Sequence, residues 1–223
     1  MSVITIAANK GGVGKTTITA LIASNLAKKK KQVYLIDLDP QQSLKQWWQK
    51  REDEDISLVD IKYNQLKDAL AKINTKDSYV IIDTPPSHLK IIEQAILVAD
   101  YILIPCRPSP LDIEAIGETL TIIEEHKKNF TFILNSSVSG TQITEQTILL
   151  LSKNGQIAPS PIRQRIIYAI AMLDGRTALE MHNKAAISEI NELCNFIEGE
   201  IKSHEKKATK SRNTRGNKKT KAE

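Results

Sequence analysis

The stretch that most constrains the fold lies near the start of the chain: Val3-Ile4-Thr5-Ile6-Ala7-Ala8-Asn9-Lys10-Gly11-Gly12-Val13-Gly14-Lys15-Thr16-Thr17. A β-branched apolar run enters a glycine-rich turn, and Lys15-Thr16-Thr17 then open a helical pattern from Ile18 to Leu26. Few architectures join a strand to a helix this way. The glycines let backbone N–H groups close around an anion, and the helix directs its positive N-terminal end at it. This is the setting of a phosphate-binding loop, in which Lys15 reaches the outer phosphates of a nucleotide and the Thr16 hydroxyl holds Mg²⁺.

Downstream, strand-like runs alternate with amphipathic stretches of helical length. The alternation predicts an α/β fold, a mostly parallel twisted sheet with helices on both faces. Strands are expected near 2–8, 32–38, 57–61, 78–83, 100–105 and 129–135, with a weaker one near 156–162. Helices are expected near 15–30, 41–52, 64–74, 88–98, 111–127, 142–153 and 183–203. No apolar run approaches the ~20 residues a membrane span needs, and no signal-peptide layout opens the chain. Cys106 and Cys194 are far apart and lack metal-ligand spacing, which predicts buried thiols in a reducing cytosol. Of the adjacent Trp47 and Trp48, one is expected in the core and the other half-buried.

Two strands end in carboxylates, at the sheet edge where parallel α/β proteins bind ligands. Val33-Tyr34-Leu35-Ile36 leads to Asp37-Leu38-Asp39, which can serve a metal and a water; capping of the next helix by Asp39 or Ser43 is the plainer alternative. Tyr79-Val80-Ile81-Ile82 leads to Asp83-Thr84-Pro85-Pro86, a Walker B pattern whose carboxylate sits beside Mg²⁺. The two prolines stiffen the loop that follows.

The loop departs from the ordinary P-loop pattern: Asn9 replaces the first glycine and a second lysine, Lys10, follows it. The run Lys10-Gly11-Gly12-Val13-Gly14-Lys15-Thr16-Thr17 resembles the deviant Walker A loop of the ParA/MinD family, closest to its small ParF-like members, over about 200 residues of this chain. The resemblance implies that Lys10, Gly11, Gly12, Val13, Gly14, Lys15, Thr16 and Thr17 line ATP–Mg²⁺. It implies that Lys10 crosses a dimer interface to the partner's phosphates, that Asp37 supports the metal's hydration shell, and that Asp39 orients the attacking water. The proline-rich run Ile104 to Asp112 resembles an interface loop of the ParF-like group, which makes Asp112 a candidate for contact with nucleotide or partner subunit. Asn135 stands where many relatives bond the adenine edge, although a turn-forming Asn fits equally. Arg163 and Arg165 also fall in a ParF-like segment and are open to nucleotide, DNA, partner or plain surface roles.

The implied function is that of a Mg²⁺-dependent ATPase for DNA partition. It forms an ATP-dependent homodimer or higher polymers, binds nonspecific DNA, and is stimulated by a ParB-like or ParG-like centromere-binding protein. The expected location is cytoplasmic and nucleoid-associated. The alternatives are a MinD-like membrane-positioning ATPase and a nucleotide-gated scaffold for another cargo. Because the chain opens at its first strand, sequence-specific operator binding is not expected.

Charge is unevenly placed. Residues 202–223 hold nine Lys and Arg against Glu205 and Glu223, a net of +7, whereas the remainder holds 22 basic and 24 acidic residues. The reading is an ATPase domain over 1–203 and a disordered basic tail over 204–223. The hydrophilic end argues against membrane attachment.

Overall fold

In a computed structural model, residues 1–219 are described except Asn74 and Lys76, with side chains described as far as His204 and at Lys206. Strands β1 (Ser2–Ile6), β2 (Gln32–Asp37), β3 (Ile56–Leu58), β4 (Ser78–Asp83), β5 (Tyr101–Cys106) and β6 (Phe130–Leu134) form one sheet in the order β3-β2-β4-β1-β5-β6. Every pairing is parallel. The helices are α1 (Lys15–Lys28), α2 (Ser43–Gln49), α3 (Leu66–Lys72), α4 (Leu89–Val98), α5 (Pro110–Glu114), α6 (Ile116–Glu125), α7 (Gln142–Ser152), α8 (Ile166–Met172) and α9 (Lys184–Lys219).

The central strands β1, β4 and β5 are buried at every residue, which explains why they read as unbroken apolar runs. Their side chains still alternate between two cores. Ile4, Ile6, Ile81 and Leu103 pack with α1, Trp47 of α2, Tyr168 of α8 and the Ile190–Ile201 stripe of α9. Val3, Val80 and Ile82 face α3 and Ala95 of α4, while Ile102, Ile104 and Phe132 face α4, α6 and α7. The sheet therefore lies between two helical layers, as expected. Truncating a fully buried member such as Ile4 to Ala would cost ~2–5 kcal/mol through lost burial and the cavity left behind.

Cys106 and Cys194 are free and buried, and burial pushes both thiols up to about 12. Trp47 is 2% exposed, and its Nε1 donates to the Arg176 carbonyl at 2.9 Å. Trp48 packs half-buried against the same core and donates to Ile56 O at 2.7 Å.

Four local expectations are corrected. The weaker strand at 156–162 is reduced to isolated bridges, Phe132 with Ile157 and Ser137 with Arg163. Pro159 and Pro161 supply no N–H donors there, so a continuous ladder cannot form. The single helix expected over 111–127 is two, α5 and α6, parted at Ala115. A helix not expected, α8, follows Arg165. The helix expected to end near 203 continues to Lys219; beyond Ile201 its composition is polar but contains no proline to stop it. The side chains of Glu205 and 207–219, and residues 220–223 entirely, lie outside the described residues.

Candidate functional site

The C-terminal edge of the sheet gathers the charged residues singled out from sequence. β1 turns into α1 at Gly14, whose φ of 94° is left-handed. A side chain is excluded there twice over, because a Cβ on Gly14 would lie 2.2 Å from Asn135 Nδ2. Asn135, buried after β6, donates that Nδ2 to Val13 O at 2.7 Å. The structure thus places Asn135 on the loop backbone, clamping the loop from the neighbouring strand end.

Lys15 opens α1 and is only 7% exposed. Its ammonium folds back to donate to Lys10 O at 2.9 Å, bracing the loop in the shape of an anion cradle. Burial pulls the Lys15 pKa down, while Asp83 and Asp39 push it up. Thr16 donates its hydroxyl to Asp83 Oδ2 at 2.7 Å. Asp83 is 1% exposed, and burial raises its pKa to about 7 against the opposing Thr16 hydrogen bond, with Asp37 adding to the rise. Its other oxygen, Oδ1, is buried without a partner. Orphaned buried carboxylate oxygens are costly, and a cation beside Thr16 would satisfy this one. The pair Thr16 and Asp83 therefore fits Mg²⁺. Among the described residues no group of three or more His, Cys, Asp or Glu side chains is arranged to hold a metal, so phosphate and water oxygens would supply the remaining ligands.

Asp37 pairs in register with Asp83 on the adjacent strand. Its oxygens accept the Asp39 and Lys45 N–H groups, both at 3.0 Å. Lys45 lies in the first turn of α2, so Asp37 caps that helix from the strand end. Burial raises its pKa against those backbone hydrogen bonds. Asp39 accepts Gln41 N at 2.9 Å, which shapes the loop between β2 and α2. It borders an open cavity of about 540 Å³ with Asp60, Tyr63 and Ile91.

Asp112 is 2% exposed and bonds Arg107 Nε at 2.8 Å. The Lys10 ammonium lies 4.0 Å from its other oxygen. In this protomer, then, Asp112 draws Lys10 and Arg107 onto α5. Thr17 makes no printed side-chain contact and stands in the first turn of α1.

Residues 4–191 match the CobQ/CobB/MinD/ParA nucleotide binding domain. The chain belongs to that family. Over 208 residues it is 29% identical to the maintenance of carboxysome distribution protein A of Halothiobacillus neapolitanus, covering 87% of this chain and 95% of the relative. It is 27% identical over 196 residues to a ParA protein of Rhizobium radiobacter, covering 82% and 88%. Its fold is shared with a putative plasmid partition protein of Borrelia burgdorferi, solved bound to AMPPNP, at a TM-score of 0.75 and 20% identity over 89% of this chain and 99% of that one.

Other residues complete this ParA/MinD-type domain that sequence reading did not single out. Asn9 donates its backbone N–H to Thr119 Oγ1 at 3.3 Å, and its side-chain amide donates to Glu118. Its carbonyl accepts Ser87 N at 3.0 Å, from the loop after Asp83. Asn9 thus ties the P-loop both to α6 and to the segment beyond the Walker B strand. No local pattern signals partners more than a hundred residues away. Arg165 is spent within the fold, bonded to Glu189, which also accepts the Tyr168 hydroxyl at 2.9 Å and Arg163 N at 3.2 Å. A second open cavity of about 540 Å³ lies beyond β5 and β6, lined by Arg107, Ser109, Ser136, Thr144 and Gln164 among others.

Proposed function

We propose that this protein is a partition-type ATPase, an ATP-driven dimer that positions DNA or a DNA-tethered cargo. The observation that carries the reading is the buried Lys15–Thr16–Asp83 group on a pre-shaped loop, with one Asp83 oxygen unpartnered. A charge cluster held so far from water stabilises the fold poorly and suits a polyphosphate well.

Lys15 releases the Lys10 carbonyl and takes a phosphate oxygen, while loop N–H groups from Gly11 to Thr17 surround the phosphates. The nucleotide base lies toward the cavity beyond β5 and β6, with Asn135 holding the loop beneath it. Thr16 and Asp83 hold Mg²⁺, which when bound neutralises charge on the phosphates; Asp37 keeps the adjacent loop in place. Asp39 orients the attacking water. Two protomers close face to face, and Lys10 exchanges Asp112 for the partner's phosphates. Positioned charge is the main source of rate in phosphoryl transfer.

ATP dimerises the protein, hydrolysis is slow, and a ParB-like or ParG-like centromere-binding partner accelerates it. We place the ATPase domain at 1–203 and a basic arm at 204–223 that holds DNA without regard to sequence, in a cytoplasmic, nucleoid-associated protein. The likeness to a carboxysome-distribution protein supports a second cargo class, a protein assembly positioned along DNA.

The test is ATP turnover with and without nonspecific duplex DNA, alongside light scattering for ATP-dependent dimerisation, on wild type and Lys10→Ala. Slow turnover, ATP-driven dimerisation and loss of both in Lys10→Ala with nucleotide still bound support the reading. Wild-type turnover in Lys10→Ala removes the cross-subunit role, and dimerisation without hydrolysis favours a nucleotide-gated scaffold. No helix among the described residues is long and apolar enough to cross a membrane; ATP-dependent binding to anionic vesicles would favour the MinD-like alternative.

A further inference from the structure

We propose that the N-terminal edge of the sheet, opposite the P-loop, is a basic docking pole for the phosphate backbone of duplex DNA, built on the folded domain as well as on its C-terminal arm. This rests on the reading that the protein holds DNA without regard to sequence.

The parallel sheet creates the pole. Every strand starts at this edge, so the residues just before β2 and just before β6 come to the same end of the molecule. Those residues are Lys30-Lys31 and Lys127-Lys128. The last helix joins them there: Ile201 and His204 of α9 line one cavity of about 400 Å³ with Met1, Asp100, Lys127 and Lys128. Ile201 is 3% exposed and the His204 ring lies 5.6 Å from the Tyr101 ring. This anchor fixes where α9 leaves the domain, carrying Lys202 and Lys206 and then the most basic part of the chain.

Some lysines at this edge are already committed. Lys29 pairs with Glu198 at 2.5 Å, and Lys128 donates to Leu97 O and Ala99 O. Lys30, Lys31, Lys127 and Lys202 form no ion pair with a described residue. The nearby acids are engaged: Glu198 with Lys29, Glu200 with His204 at 3.7 Å, and Asp100 with Val3 N at 2.8 Å. Glu124 and Glu125, at the end of α6, border the pole without entering it.

Two of the free lysines sit where lysine is a poor backbone choice. Lys30 has φ 59° and Lys127 φ 50°, each just past a helix end. Glycine is favoured at such positions, and a left-handed L-residue costs roughly 1–2 kcal/mol. Favourable interaction with the helix dipole offsets part of that, but does not account for Lys31, Lys202 or the charge beyond. An exposed cationic surface with that backbone cost fits a polyanion, which rewards each neutralised phosphate with counterion release. Duplex DNA fits better than a lipid surface, because the cavity at the pole offers only Met1 as an exposed large apolar side chain, and interfacial binding needs a buried apolar face.

The test compares two full-length variants carrying the same change in net charge. Lys30→Glu/Lys127→Glu strikes the pole; Lys67→Glu/Lys90→Glu places it on exposed residues of α3 and α4, which begin at the opposite edge. Binding to a short random-sequence duplex is read by fluorescence anisotropy across a salt series, with melting and nucleotide binding as checks of folding. The pole variant should bind about tenfold more weakly near 0.1 M salt and lower the log-affinity slope by about 2, while the control stays within about twofold of wild type. Equal loss in both variants, or in neither, overturns the pole and leaves the DNA reading standing. A wild type that binds no duplex, with or without ATP, overturns both, and binding to anionic vesicles in its place assigns the pole to membrane.

Discussion

The two edges of the sheet use charge in opposite ways. At the C-terminal edge Lys15, Asp83 and Asp112 are each under 10% exposed and every one is held by a named partner. At the N-terminal edge Lys30, Lys31 and Lys127 reach toward water and hold nothing. Buried charge must be paired or it destabilises the fold, so the first edge is rigid and its orphaned Asp83 oxygen marks a missing ligand. Exposed charge costs little and is screened by salt. The first edge is therefore suited to geometry-dependent chemistry, and the second to contact that tolerates any arrangement of phosphates. Substitutions at the two edges should separate these properties.

The largest effect is expected at Lys15. Lys15→Ala removes the buried cation that faces the phosphates, and turnover should fall by about 10²–10³ or more, measured by phosphate release at saturating ATP. DNA affinity of the nucleotide-free protein should change little. A parallel loss of both would mean that the two edges are not independent.

Next comes Gly14→Ala. The added Cβ meets Asn135 Nδ2 at 2.2 Å in a residue with φ 94°, so both the clash and the backbone penalise it. We expect a loss of ~2–4 kcal/mol in thermal or denaturant unfolding, together with loss of nucleotide binding. Asn135→Ala alone should be milder, since it only frees the Val13 carbonyl. A Gly14→Ala protein as stable as wild type would show that the loop relaxes where the geometry says it cannot.

These contrasts also show what the sequence could and could not say. The P-loop, the Asp83 strand and the two helical layers were legible because each is encoded locally, in a glycine spacing, an apolar run or a helical stripe. Residues whose partners are distant in sequence were not. The turn from β6 puts Asn135 on Val13, a contact spanning more than a hundred residues, and nothing in the Asn135 neighbourhood distinguishes a loop clamp from a base contact. Asp37 reads as a metal residue by position, but its oxygens meet two backbone N–H groups because α2 begins close to the strand end. The short helix α8 escaped notice because its exposed side carries Ile166, Ile170 and Leu173, which hides the polar–apolar alternation that signals an amphipathic helix.

A smaller, pH-dependent effect separates fold from site. Burial pushes the Glu189 carboxyl up, but the hydrogen bonds from Arg165, Arg163 N–H and Tyr168 outweigh it and hold the group below the usual glutamate range. A depressed folded pKa contributes stability that is present above the unfolded value and lost as pH falls through the folded one. Glu189→Gln should therefore cost ~1–2 kcal/mol near neutral pH, and the gap to wild type should close at pH values below about 4. Nucleotide binding should survive. A gap that does not change with pH would mean the cluster acts through packing alone.

The smallest expected effect has the opposite sign to Gly14→Ala and tests the comparison most finely. Lys30, like Gly14, lies in the left-handed region at a helix end, but in open solvent at the other edge. Lys30→Gly relieves the backbone and gives up a favourable charge at the helix C-terminus, and it loosens the unfolded chain. The balance should be a gain of a few tenths to about 1 kcal/mol in stability, read as a rise in unfolding midpoint. The same variant should lose some affinity for duplex DNA and flatten its salt dependence by about 1. Stability gained with binding lost would show lysine held at a strained position for contact. Stability lost, with binding unchanged, would make Lys30 a helix cap and nothing more.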